Sequence, residues 1–526
     1  MKRTVIAGLA GLALLAAAPA AAQETPRRGG TYTFAVYLGE PDTYDCHATN
    51  SIASLYRLAP HYSLLLKYDP ANYPKIVGDV AESWSASEDG KTYRFTIRSG
   101  VTFHDGSPLT SADVKATYER LRKPPEGIVS LRTNHFRDIE GIDTPDDRTV
   151  VFRLAQPNAS MPAVFAGPFN CIYSAKKLAE DPRFPARNIL GTGPFRFVKH
   201  EAGAEWQAVR FENYFDKRRP HLDGLRILNM APPAAVNALS AGQIQAAFPG
   251  QSQAEITRIS AARGDKVKVY DPVTTQVMFL ATVNAAKPPF NDVRVRQALS
   301  LAIDRRGGSQ ALSKMMTASA FGTFIHEGSP FARTPDEVRT LFGFRPDMAA
   351  NRAEAKRLLA EAGVPNLKLV FLNRPQYAGL GVFLIDQWRQ IGVAATQELP
   401  ENQRFFETQR AGAYDVSLDA LAEYTDDPTM QLARLISRSK NPSNVSRADD
   451  PAFDELFEKQ MHTIDPAERK ALVQRLEEHL LTQSISMPLF WSKRYIVMSA
   501  EVRGATTPVV ASNYVGLDQS TVWLAH

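Results

Sequence analysis

The chain has 526 residues, 44% of them hydrophobic, with 61 basic against 56 acidic side chains for a net charge of +5. That length exceeds what one hydrophobic core supports and predicts about two to four domains. Mild basicity without a basic stripe argues against a nucleic-acid partner, and no apolar run beyond the N-terminus nears the length of a membrane-crossing helix.

Lys2-Arg3, an apolar run from Val5 to Ala18 and Pro19-Ala20-Ala21-Ala22 read as a secretory signal, residues 1–22, cut after Ala22. With no Cys at the cut, a lipid anchor is not expected, and the mature chain is predicted to be free in the periplasm. In an oxidising compartment the only cysteines, Cys46 and Cys171, are expected to form a disulfide. A zinc reading that recruits His47 and His61 beside Cys46 fits no standard ligand spacing, so no metal is expected.

Thr31 to Leu38 is predicted as a strand, and Leu55, Leu58, Tyr62, Leu65 and Leu66 give Ile52 to Lys67 a mostly helical stripe. From Trp84 to Arg120 the pattern is fuller. Glu88-Asp89-Gly90-Lys91 is a turn, and Tyr93, Phe95 and Ile97 alternate with Thr92, Arg94 and Thr96 at the strand period. The short run Val101 to Phe103 stops at His104-Asp105-Gly106-Ser107-Pro108. Thr110 stands three residues before Asp113, as a helix cap does, and Val114, Tyr118 and Leu121 form the apolar stripe that follows.

This segment, W-S-x-S-E-D-G-K-T-Y-x-F-x-I-R-x-G-V-x-F-H-D-G-x-P-L-T-x-A-D-V, resembles the signature of the periplasmic solute-binding proteins of dipeptide and oligopeptide ABC importers, family 5. The resemblance implies an α/β fold, a two-lobed periplasmic binding protein (type II, cluster C-like) with an extra subdomain in the first lobe at about residues 50–190. It also implies capture of a small solute, most simply a peptide, and delivery to the permease subunits of an importer in the inner membrane. A monomer without cofactors is expected.

Further along, strands are predicted at Asp138 to Gly141 and Thr149 to Leu154, and Gly191-Thr192-Gly193-Pro194 bends the chain into another. That loop lacks both the Gly-x-Gly-x-x-Gly spacing and a following Lys-Ser/Thr, so it is not read as a phosphate cradle. A helix is predicted at Ala234 to Ala241, and a long alternating strand between Lys266 and Val283 marks the crossing into a second lobe. Val293 to Arg305, capped by Asn291 or Asp292, carries Val295, Leu299 and Ile303 at helical spacing. Helices at 347–362, 380–391 and 402–410 end at Gly363, Gly392 and Gly412, with strands at 367–372 and 393–399 between them, the alternation of an α/β lobe. Helices at 451–462 and 466–482 precede a strand at 485–491 that returns the chain to the first lobe. The expected division is lobe I at 23–272 and 487–526, and lobe II at 273–486.

No nucleophile motif of a hydrolase is present, and His104 beside Asp105 reads as a turn residue, so catalysis is not expected. A secreted hydrolase using the same cleft is the rival reading. The resemblance places ligand contacts at Tyr44, His47, Asn50, Arg374, Tyr377, Trp388, Glu423, Tyr424, Asp426 and Trp491. Arg374 suits a carboxylate, and Tyr377, Tyr424 and Trp491 suit apolar groups. Peptide-binding members carry an amine-binding Asp four residues before Pro428, and here Tyr424 stands there between Glu423 and Asp426. Either a neighbouring acid takes the ammonium or the ligand has none, which leaves opines, oligosaccharides and metal chelates as alternative solutes.

Overall fold

The computed structural model describes residues 25–422, 425–505 and 516–525. The predicted signal segment through Ala22, and with it Glu423 and Tyr424, lies outside them. One eleven-stranded mixed sheet frames the molecule. Two strands cross its middle, Val267–Val283 and Ser486–Ser499, paired antiparallel from Val267 opposite Ser499 to Thr282 opposite Ser486. At about 3.3 Å per residue the first reaches roughly 55 Å, long enough to belong to both halves of the sheet.

Strand directions on either side fix where the two halves meet. In the first half, Thr31–Val36 runs parallel to Gly224–Asn229 and Ala246–Phe248, and the last of these runs antiparallel to Ser486–Ser499. All three therefore point the same way as Val267–Val283. In the second half, Lys368–Leu372 runs parallel to Ala394–Glu398 and Val416–Ala422, and Val416–Ala422 runs antiparallel to Val267–Val283, ending with Ala422 opposite Val277. These three point back. The carboxyl ends of both parallel sets thus converge on the middle of the crossing strands, the edge at which open α/β sheets hold ligands.

Each half has its own core. Tyr32, Phe34, Trp206, Ile227 and Phe248 pack with Met498 and Leu524 in the first, and Phe279, Leu299, Leu359, Phe371 and Phe490 in the second. A third core lies under a separate antiparallel sheet ordered Ala81–Ala86, Thr92–Ile97, Thr149–Leu154, Ile139–Asp146. There Tyr93, Phe95 and Ile97 turn inward, as their alternation requires. The covering helix Ser111–Arg122 opens with Thr110 and Asp113 capping each other and buries Val114, Tyr118 and Leu121. Cys46 and Cys171 are joined by a disulfide.

Some elements differ from expectation. Val101–Phe103 makes a single bridge, Thr102 to Pro108, because the turn closes too soon for a ladder. The helix from Val293 ends at Leu301, since Asp304 accepts from the Gly307 amide and caps a second helix, Arg305–Leu312. Gly191 and Gly193 serve packing: a Cβ there would lie 2.1 Å from the His61 carbonyl oxygen and 2.4 Å from its carbon.

Candidate functional site

The strand Lys368–Leu372 ends in Asn373-Arg374 at the converging edge. Asn373 is buried and locks the turn: its amide donates to Glu398 O (2.9 Å), its Nδ2 to Tyr377 O (2.9 Å), and its Oδ1 accepts from the Arg374 amide (2.7 Å). Arg374 is thereby held with its guanidinium over three rings, 4.9 Å from the centroid of Tyr377, 5.2 Å from Phe405 and 5.6 Å from Phe406. Among the described residues its Nε has no hydrogen-bond partner and no acid forms an ion pair with it. Burial lowers its pKa, with Tyr377 and Asp419 opposing that shift. Tyr377 stands edge-on to Phe279 at 4.9 Å, so the aromatic collar is anchored on the crossing strand.

The strand Val416–Ala422 leads into the acidic segment. Asp426 Oδ1 lies 2.8 Å from His326 Nε2, and its Oδ2 accepts from the Tyr73 hydroxyl at 3.2 Å. Its amide donates to the Tyr68 hydroxyl (3.2 Å). His326 Nδ1 meets Glu327 O at 2.8 Å, so both ring nitrogens face oxygens and an imidazolium would donate from each. Burial disfavours that imidazolium, but the hydrogen bond to Asp426 and its charge outweigh burial and raise the ring's pKa. The Trp491 ring stands edge-on to His326 at 5.6 Å and its Nε1 donates to Thr323 O (2.9 Å).

Asp427, the next residue, serves a different cluster. Arg469 Nη2 donates to both its oxygens (2.9 and 3.0 Å), to Ser160 Oγ (3.0 Å) and to Thr429 Oγ1 (3.2 Å). Ser160 follows the separate antiparallel sheet, so its hydroxyl ties that subdomain to the second half of the frame. Beside it, the Ala159 amide donates to Met461 O at 2.9 Å. Burial opposes ionisation of Asp427, yet Arg469 holds its pKa below the usual range.

On the first half, Tyr44 Oη is 2.6 Å from His200 Nδ1, and His200 Nε2 is 2.7 Å from Glu40 Oε2. Asn50 is exposed just ahead of Ser51, which caps the helix Ile52–Leu58. Two expected contacts lie elsewhere. His47 is enclosed: Arg120 Nη1 donates to its Nδ1 (2.9 Å), Nε2 meets Cys171 O (3.0 Å), and burial pushes its pKa down to about 3. Trp388 fills the second core, fully buried, with Nε1 donating to Leu299 O (3.1 Å). Neither ring forms a wall of the gap. Conversely, sequence reasoning passed over His326, Tyr68, Tyr73, Phe405 and Phe406. No local spacing marks them, because chain segments far apart bring them together.

Residues 75–443 match the model of the bacterial extracellular solute-binding proteins, family 5 Middle. The probable di/tripeptide-binding protein 5 of Pseudomonas aeruginosa is 26% identical over 88% of this chain and 91% of its own length. The heme-binding protein A of Haemophilus influenzae is 27% identical over 81% of this chain and 80% of its own. Among solved structures, the periplasmic binding protein AgaA of A. tumefaciens R10, in complex with agropinic acid, superposes with a TM-score of 0.77 at 25% identity, covering 94% of this chain and 99% of that one. With more than half of its length under the family model and two lobes meeting at converging strand ends, this chain belongs to the bacterial extracellular solute-binding proteins of family 5.

Proposed function

We propose that this protein captures a small solute in the gap between its lobes and hands it to the permease of an ABC importer, acting in the periplasm after removal of residues 1–22. The observation that carries the reading is Arg374. It is a half-buried guanidinium ringed by Tyr377, Phe405 and Phe406, with no acid paired to it among the described residues, at the edge where both parallel strand sets end. Such a cation is a ready receptor for a carboxylate. The proposed contact set is Tyr44, Asn50, Arg374, Tyr377, Glu423, Tyr424, Asp426 and Trp491, with lobe I at 23–272 and 487–526 and lobe II at 273–486. Binding without catalysis, by a monomer that closes about the crossing strands, fits this division.

A peptide is the first ligand class to test, since relatives carry dipeptide-binding names. The heme-binding relative and the agropinic-acid complex favour a second, non-peptide reading on the same scaffold. Mass spectrometry of solutes released from purified protein, together with uptake of the identified solute in a deletion strain, tests the proposal. Unchanged uptake refutes it, and turnover of a peptide or ester by the purified chain supports the hydrolase instead.

A further inference from the structure

Resting on that reading, we infer that His326 is a positioning residue for solute capture: with a proton on each ring nitrogen it holds Asp426 where the subdomain grips it, and loss of one proton loosens that seam, so capture is tighter in acid than in alkali. The ring is enclosed between two residues of the proposed contact set. Trp491, on a crossing strand, stands edge-on to it at 5.6 Å, and Asp426 Oδ1 lies 2.8 Å from Nε2. On the other side Nδ1 lies 2.8 Å from Glu327 O. The side chains of His326 and Asp426 are 2% and 1% exposed, so solvent does not replace a partner that either one loses. Asp426 is also where the subdomain holds the second half. The Tyr73 hydroxyl donates to its Oδ2, and its amide donates to the Tyr68 hydroxyl, both at 3.2 Å. The two tyrosine rings pack at 5.4 Å, and Tyr68 is fixed in the strand pair Leu66–Tyr68 and Ile76–Gly78. Burial and the Asp426 charge push the Tyr68 hydroxyl's pKa up and keep it neutral.

The charges around the ring leave Asp426 to His326. Asp427, next in the chain, is paired with Arg469 at 2.9 Å. Glu477, on the helix Pro466–Gln483, has Arg333 at 3.2 Å, and its other oxygen accepts from the Thr323 hydroxyl and the Ile325 amide. Glu327 is exposed. Among the described residues no cation other than His326 lies within ion-pair distance of Asp426. An imidazolium donates to both oxygens that it faces, whereas a neutral ring has a single N–H. One nitrogen lone pair then faces an oxygen at 2.8 Å, and Asp426 keeps its charge in an enclosed site without a counter-charge. Opening the gap gives both groups water. Burial disfavours the imidazolium, yet the hydrogen bond to Asp426 and its charge outweigh burial and raise the ring's pKa. A site that binds a proton more tightly closed than open closes more readily when the proton is there. Closure is therefore strongest below the ordinary histidine range and weakens as pH rises through the raised value.

The test uses the mature full-length chain. The Asp426 amide, whose acceptor Tyr68 lies across the seam, reports opening by hydrogen exchange once the intrinsic pH dependence of exchange is divided out. Its protection is expected to fall at least about threefold from about pH 6 to about pH 8, within the roughly tenfold per pH unit that one linked proton allows. Amides inside Ser111–Arg122 should keep theirs. H326Q, whose amide donates to Asp426 without a charge, should show the alkaline protection at both pH values. Should that variant fail to fold, the wild-type ring carries the test, assigned in NMR spectra by its contact with Trp491, and should stay doubly protonated above the ordinary histidine range. A wild-type change under about twofold, an H326Q profile that falls as wild type does, or a ring that titrates at or below that range overturns the inference. The solute carried through purification is then counted by mass spectrometry after dialysis at each pH. More solute per chain in acid for wild type, with equal amounts for H326Q, supports the role in capture. Equal amounts for wild type overturn it and leave solute capture intact. A chain that carries none at either pH counts against capture itself, and against this role with it.

Discussion

Among the described residues, replacing Ser160 by Ala removes the one side-chain hydrogen-bond link between the separate antiparallel sheet and the Asp427–Arg469 pair while leaving that pair in place. Ser160 Oγ accepts from Arg469 Nη2 at 3.0 Å and has Thr429 Oγ1 at 2.7 Å and Asp427 Oδ1 at 3.0 Å as acceptors for its proton. A hydrogen bond involving a charged group contributes about 1.5 to 3 kcal/mol. The lower end applies here, because Arg469 keeps both Asp427 oxygens and Thr429 keeps its bond from Gln460 Nε2 (2.8 Å). About 1.5 kcal/mol corresponds to roughly a tenfold larger open population. The Ala159 amide reports it directly, since its acceptor, Met461 O, lies across the boundary. Hydrogen exchange at Ala159 should therefore accelerate about tenfold in S160A. Amides inside Ser111–Arg122 should keep their rates. The contrasting variant R469M strands Asp427 in a site where its side chain is 5% exposed, at a cost of about 3 to 5 kcal/mol, and should also destabilise the second lobe. An Ala159 rate within a factor of two of wild type in S160A would refute the idea that this cluster holds the halves together.

Three further outcomes are expected. The His326 pKa is raised in the folded state, so its contribution is complete below the ordinary histidine range and is lost as pH rises through the folded value; H326Q should flatten that alkaline arm of a stability-against-pH curve, and an unchanged arm would count against the imidazolium. R374M should weaken binding of a carboxylate solute about 100-fold by calorimetry, with R374K recovering part of the loss because an ammonium lacks the planar fork; equal affinities for all three chains would remove Arg374 from the site. Cys46 and Cys171 are 125 residues apart, and the loop-closure account assigns such a crosslink about 4 to 5 kcal/mol. Urea unfolding of the double Cys→Ser variant should show a loss of that order in the first lobe, and a loss under about 1 kcal/mol would rule that account out here.

The separate antiparallel sheet was legible because one of its faces is wet: Tyr93, Phe95 and Ile97 alternate with polar neighbours, and Thr110 and Asp113 state the helix start in four residues. The strand Val416–Ala422 was not read as a strand, for the opposite reason. It lies inside the sheet with Val416, Ser417, Leu418 and Asp419 all buried, so no alternation remains, and Asp419 looks like a loop residue until Arg434 is found beside it. Family position put His47 and Trp388 in the gap, but each ring satisfies its polar atoms within its own lobe. Arg374 and Tyr377 are three positions apart in the chain, near enough for local geometry to bring the guanidinium over the ring. His326 and Asp426 are 100 positions apart, and Ser160 and Arg469 are 309 apart, so only the tertiary fold makes them partners.

What joins binding to closure is the adjacency of Asp426 and Asp427. Each draws one partner from the second half of the frame, His326 for the first and Arg469 for the second. Each also meets the subdomain before it, through Tyr73 for Asp426 and Ser160 for Asp427. A single peptide unit thus sits in two polar clusters, and in each the contact from the subdomain, Tyr73 or Ser160, is made only while the halves touch. The segment enters directly from Val416–Ala422, whose carboxyl end lies at the converging edge with Arg374. On the proposed reading, a solute that orders this edge on Arg374 favours the backbone position that both clusters require, and its binding energy adds to theirs in stabilising the closed form. The reciprocal holds by linkage: where the open form dominates, weakening either cluster lowers the apparent affinity for the solute by the same factor as it lowers the closed population.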